Sequence, residues 1–70
     1  MTAVITVVIN GERREVPDGL TVEAMLAHLG MTAGRVAIER NLEILPRAQW
    51  SETRIQPNDR FEIVHFVGGG

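Results

Sequence analysis

The chain has seventy residues, 44% of them hydrophobic, with nine acidic and seven basic side chains and a formal net charge of −2. A chain this short buries only about 60% of the surface its unfolded form exposes, so it can build one compact core and no more. The lack of cysteine excludes disulfides, thiolate metal sites and a Cys nucleophile, and the alternation of acid and base argues against a nucleic-acid footprint.

Val4 to Ile9 is rich in β-branched residues and predicts a strand. Asn10-Gly11 suits a two-residue hairpin turn whose central positions both need positive φ. Glu12 to Val16 then returns as the second strand, and Pro17-Asp18-Gly19 is turn chemistry. Thr21 is placed as a helix N-cap, with Glu23 in the first turn to complement the dipole. Val22, Met25, Leu26 and Leu29 fall at i, i+3, i+4 and i+7 and make one apolar stripe. Gly30 stands where a helix ends in glycine, so the helix has about two turns. Thr32 to Gly34 reads as a loop and Arg35 to Glu39 as a strand. After a turn at Asn41, Leu42 to Leu45 reads as a short extended piece that Pro46 ends or leaves at an edge. Arg47 to Trp50 suits a single helical turn. Gln56 to Asp59 is another turn, and Arg60 to Val67 is the last strand. The pattern predicts an α+β domain over 1–67, a mixed four- to five-stranded sheet with one helix across one face, followed by a flexible glycine tail at 68–70.

No side-chain active site assembles from these residues. His28 sits in the helix and His65 in the last strand; His65 would need a sequence-distant carboxylate as partner and the sequence nominates none, so surface or partly buried structural roles are expected for both. Ser51 is the lone serine and lacks the glycines of a nucleophile elbow. No metal and no resident cofactor is expected, and the chain reads as no enzyme. Met1-Thr2-Ala3-Val4 lacks the basic region of a signal peptide, and the apolar run Ala3 to Ile9 is too short to cross a bilayer. The expectation is a soluble, cytoplasmic protein.

Gly68-Gly69-Gly70 follows the last strand with no linker. Three glycines make a thin, pliable thread that reaches ~10 Å when extended. Such a thread can enter a narrow tunnel in another protein where any Cβ would clash. The reactive group at its end is an α-carboxylate, ionised at neutral pH and a poor electrophile until it is activated as an acyl phosphate or acyl adenylate. The tail alone leaves two alternatives open, a working terminus or a frayed extension.

The whole pattern resembles the thiamin-pathway sulfur carrier family, ThiS. The resemblance is carried by Asn10-Gly11, Leu20-Thr21-Val22, the segment Val36 to Asn41, Leu45-Pro46-Arg47-Ala48-Gln49-Trp50, and the ending Asp59 to Gly70. Pro46-Arg47 with Trp50, combined with the terminal glycines, is the specific part. The resemblance implies a ubiquitin-like β-grasp fold. It also implies a chemistry in which an E1-like adenylyltransferase (ThiF-type) uses Mg-ATP to adenylate the carboxylate of Gly70. Sulfur from a donor protein then displaces AMP, and thiazole synthase (ThiG-type) takes the sulfur from the thiocarboxylate. Gly69 lies beside the acyl group, and Gly68 lengthens the thread. Neither a nucleic acid nor a membrane is implied as a partner.

Strand parity suggests where partners dock. Ile5, Val7, Ile9, Phe61 and Ile63, with His65 as a further candidate, are expected to face the helix. Val4, Val8, Val64 and Phe66 are then left on the other face near the tail, an apolar patch of the kind that marks a docking site. Trp50 is expected to cap the core, and Arg47 to be solvated or to pair with a partner's carboxylate. Two alternatives stand beside the thiamin carrier. One is a carrier of the same fold serving molybdopterin synthesis or a similar route. The other is a stand-alone protein- or RNA-binding β-grasp module with an inert tail, which a basic stripe with exposed aromatics would favour and this sequence lacks.

Overall fold

The computed structural model describes residues 3–31 and 35–66. The expected loop Thr32 to Gly34 and the expected tail Gly68 to Gly70, with Val67, lie outside the described residues. The elements run β1 (Val4–Ile9), β2 (Glu12–Pro17), α1 (Val22–His28), β3 (Val36–Arg40), β4 (Glu43–Leu45), a 3-10 turn (Arg47–Gln49) and β5 (Arg60–His65). They form one mixed sheet in the order β2-β1-β5-β3-β4. β1 and β5 are parallel at its centre, and every other pairing is antiparallel.

Local chemistry sets most of the boundaries. Asn10 and Gly11 have φ of 51° and 84°, the left-handed pair that closes β1 onto β2 with Ile9 opposite Glu12. Thr21 caps α1 through its hydroxyl, which accepts from the Ala24 N–H at 3.1 Å. The two N–H groups before it are satisfied from a distant loop, Val22 by the Thr53 carbonyl at 2.8 Å and Glu23 by that of Trp50 at 3.1 Å. No orphan donor is therefore left in the helix's first turn. At the other end Gly30 has φ of 74°, and the N–H groups of Met31 and Gly30 return to the carbonyls of Leu26 and Ala27. That pairing is a Schellman motif, and its glycine carries the left-handed residue without a Cβ penalty.

α1 covers one face of the sheet. Ile5, Val7, Ile9, Phe61 and Ile63 share a buried cluster with Val22, Met25 and Leu26, and Leu29 packs at its margin, as the two periodicities predict. Val16, Val36, Ile38, Trp50 and Ile55 complete the core. His65 is exposed at the end of β5 and does not join that face. Trp50 is buried as a core cap. Its Nε1–H donates to the Leu45 carbonyl at 3.0 Å, and the Arg47 guanidinium lies over its ring, 4.7 Å from the centroid.

The stretch expected to be extended from Leu42 begins only at Glu43. Arg40 pairs with Glu43, which leaves Asn41 and Leu42 as the two turn residues, at φ of 51° and 72°. Hairpin closure here overrides the intrinsic preference of leucine, which is disfavoured in the left-handed region.

Candidate functional site

β5 is the element that leads toward the three glycines, and it lies between β1 and β3 at the middle of the sheet. Its alternation puts Phe61 and Ile63 in the core and leaves Glu62 and Val64 exposed on the face without a helix. Phe66, just past the strand, is also exposed, and its N–H donates to the Arg35 carbonyl at 2.7 Å. β3 thus supports β5 out to its last described residue. On the other flank main-chain pairing stops at Ile9 opposite Phe61, with the Asn10 N–H reaching the Phe61 carbonyl at 2.9 Å.

The four residues expected to form a patch near the tail do share the helix-free side of the sheet, but register divides them. Val8 pairs with Arg60 in the parallel β1–β5 ladder. Val4 is four residues back along β1 and Val64 four residues forward along β5. At ~3.3 Å per residue they stand roughly 25 Å apart. Val4 therefore belongs to the opposite end of the sheet, and Val8 lies midway, half-buried beside Arg60. Parity alone carries no information on how two distant strands are offset, so the expectation is corrected for Val4 and Val8. Val64 and Phe66 remain together, at 53% and 57% exposure.

A neighbour missed by strand parity replaces the two lost. Ile44 of β4 is 78% exposed and stands opposite Glu39, which in turn stands opposite Glu62. Ala37, Ile44 and Val64 line a shallow groove on the helix-free face, with Glu39 and Glu62 beside it. The signal for Ile44 was its parity with the inward Leu45, which a three-residue strand beside a proline is too short to show.

The turn before β5 is fixed by a buried carboxylate, Asp59, only 5% exposed. Its Oδ2 accepts from Arg40 Nε at 3.0 Å and from the Gln56 N–H at 2.8 Å, and its Oδ1 accepts from Asn41 Nδ2 at 3.1 Å. Arg40 Nη2 makes a second contact at 3.0 Å. Asn41 Oδ1 takes the N–H of Arg60 at 3.0 Å, tying the β3–β4 turn to the first residue of β5. His28 and His65 are both exposed, and among the described residues no group of three or more metal-ligating side chains comes together. Also among the described residues, no helix is long and apolar enough to cross a membrane.

The chain matches the model of the ThiS family over residues 7–70. It is 40% identical over 53 residues to the sulfur carrier protein ThiS of Bacillus subtilis (strain 168), covering 76% of this chain and 80% of that one. It is 48% identical over 63 residues to a thiazole synthase of Paramagnetospirillum magneticum (strain ATCC 700264 / AMB-1), covering 90% of this chain. The chain spans only 19% of the length of that thiazole synthase, and the same share of a second one from Magnetococcus marinus (strain ATCC BAA-1437 / JCM 17883 / MC-1). A crystal structure of the thiamine biosynthesis protein ThiS from Geobacter metallireducens superposes with a TM-score of 0.79 at 31% identity, covering 94% of this chain and 100% of that one. The five-stranded mixed sheet with one helix is therefore a β-grasp fold.

Proposed function

This chain belongs to the ThiS family, a family of sulfur carriers, and from that premise we propose that it carries sulfur for thiazole formation on the carboxylate of Gly70. An E1-like adenylyltransferase binds the carrier and Mg-ATP. A carboxylate oxygen of Gly70 attacks the α-phosphorus, the bond to pyrophosphate breaks, and an acyl adenylate forms. Sulfide-level sulfur from a donor protein attacks the acyl carbon, AMP leaves, and a thiocarboxylate remains. Thiazole synthase accepts that sulfur and returns the carboxylate. This chain supplies no catalytic group to these steps. It supplies a terminus without side chains, a few residues beyond the central strand in sequence, and a surface by which partners hold it.

One observation carries the reading: the family match runs through Gly70, so the glycines are part of the matched pattern. The residue inventory agrees with it. The chain has no Cys thiol and no Lys amine to attack its own activated terminus. Val64 and Phe66, with Ile44 close by, are the surface we assign to partner docking. They are apolar and exposed, with Val64 on the strand that leads to the tail and Phe66 just past it. Within this reading thiazole synthase is a partner of this chain, in keeping with thiazole synthases that contain a similar segment. Working in the cytoplasm fits a carrier of this kind.

Deletion of Gly69 and Gly70 tests the proposal. The truncated chain is expected to keep its melting temperature, because none of the described core lies beyond Ile63, and to lose thiazole formation completely. Thiazole formation by the truncated chain would overturn the assignment of Gly70.

A further inference from the structure

Asn10 does more than its turn requires. A left-handed residue at the first position of this hairpin can be Asn, Asp or Gly. Here the side chain also crosses to β5. Its Oδ1 accepts from the Ile63 N–H at 2.7 Å, and its Nδ2 donates to the Ile63 carbonyl at 3.1 Å. The carboxamide thus stands in for one further residue of β1 after the main chain has turned away at Gly11. It satisfies both polar groups of Ile63 on the flank where β1 has ended. Of the three residues that suit the turn, asparagine is the one whose neutral side chain supplies both a donor and an acceptor at neutral pH.

We infer that Asn10 is a positioning residue for the carrier reaction, holding the end of β5 on its β1 side so that Val64 and Phe66 are presented in one orientation. The inference rests on the carrier reading above. Its force comes from leverage. Val64 and Phe66, the surface assigned to docking, lie one and three residues past Ile63. A tilt of ~10° at Ile63 moves Phe66, about 10 Å further along an extended chain, by nearly 2 Å, and so turns that surface away from a partner built to receive it. With Asn10 in place β5 is held on both flanks at Ile63. Without it, β3 alone supports the strand from Glu62 onward.

Asn10→Gly keeps the positive-φ turn and removes both bonds. Asn10→Asp keeps the turn and the acceptor but sets a carboxylate oxygen against the Ile63 carbonyl. Two readouts apply to each variant. Amide hydrogen exchange at Ile63 reports the clamp, and carrier-dependent ATP–pyrophosphate exchange by the adenylating enzyme reports its consequence. A chain whose competent orientation is only fractionally populated binds more weakly by that fraction. Both variants are therefore expected to raise the carrier's KM about tenfold, with kcat at saturation within about twofold, and to speed exchange at Ile63. Thr21→Ala is the control. It removes the α1 cap, lowers stability without touching β5, and is expected to leave KM unchanged. If Asn10→Gly does not fold, Asn10→Asp carries the test. A wild-type chain that supports no pyrophosphate exchange overturns the carrier reading and this inference together. A competent wild type with unchanged KM in the variants, or an equal rise in Thr21→Ala, overturns the inference alone.

Discussion

Asp59→Asn is the substitution that tests the loop network most sharply. The aspartate carboxylate receives four N–H contacts between 2.8 and 3.1 Å, two of them from the Arg40 guanidinium. An asparagine has one oxygen to offer. If that oxygen keeps Arg40 and the Gln56 N–H, its amide nitrogen points at Asn41 Nδ2, donor against donor. Asn41 cannot turn over to help, because its own oxygen holds the Arg60 N–H. The variant therefore loses a charge-assisted pair and gains an unmatched donor. Hydrogen bonds to charged groups contribute ~1.5–3 kcal/mol, and an unsatisfied buried group costs ~1–3 kcal/mol. The Arg40 side chain is 27% exposed and the Asp59 side chain 7%, so water recovers part of the arginine's loss. A net cost of about 2.5 kcal/mol follows. For a domain this size that lowers the melting temperature by ~10–20 °C. Thermal unfolding followed by far-ultraviolet circular dichroism and by Trp50 fluorescence measures it. A drop of less than ~5 °C would show that the network contributes little and that the turn before β5 is held by its backbone alone.

Two further substitutions follow from exposed residues. Leu42→Gly is expected to stabilise the protein by ~0.5–1 kcal/mol, because leucine at φ of 72° is strained and its side chain, 89% exposed, gives up no packing; a lower melting temperature would contradict that. Phe66→Ala is expected to weaken binding to the adenylating enzyme at least tenfold, as truncation of an aromatic anchor does, while leaving the melting temperature within about 3 °C. A large fall in melting temperature at unchanged affinity would place Phe66 in the packing instead.

Features governed by neighbouring residues were legible before the structure. Asn10-Gly11, the Thr21 cap, the Leu26 stripe and the Gly30 terminus each follow from chemistry within four or five positions, and each stands where expected. What was not legible is non-local. The offset of β1 against β5, which separates Val4 from Val64, depends on how two strands more than fifty residues apart align. The left-handed Leu42 reflects the closure of β3 onto β4 against the residue's own preference. Asp59 looked like one more turn residue, and only the approach of Arg40 and Asn41, 19 and 18 positions away, shows why it is buried. The same holds for Asn10, whose partner Ile63 lies 53 positions on. The tail stood out for the opposite reason, since three consecutive glycines carry no side chains and the run is visible in the sequence itself.

Intact mass spectrometry of the protein isolated from cells making thiamin tests the central claim most directly. The account predicts a fraction of chains ending at Gly70 that is heavier by one oxygen-to-sulfur exchange, and the loss of that fraction when the adenylating enzyme is deleted. Chains that carry only an unmodified carboxylate while thiazole is being made, or that continue past Gly70 uncleaved, would contradict it.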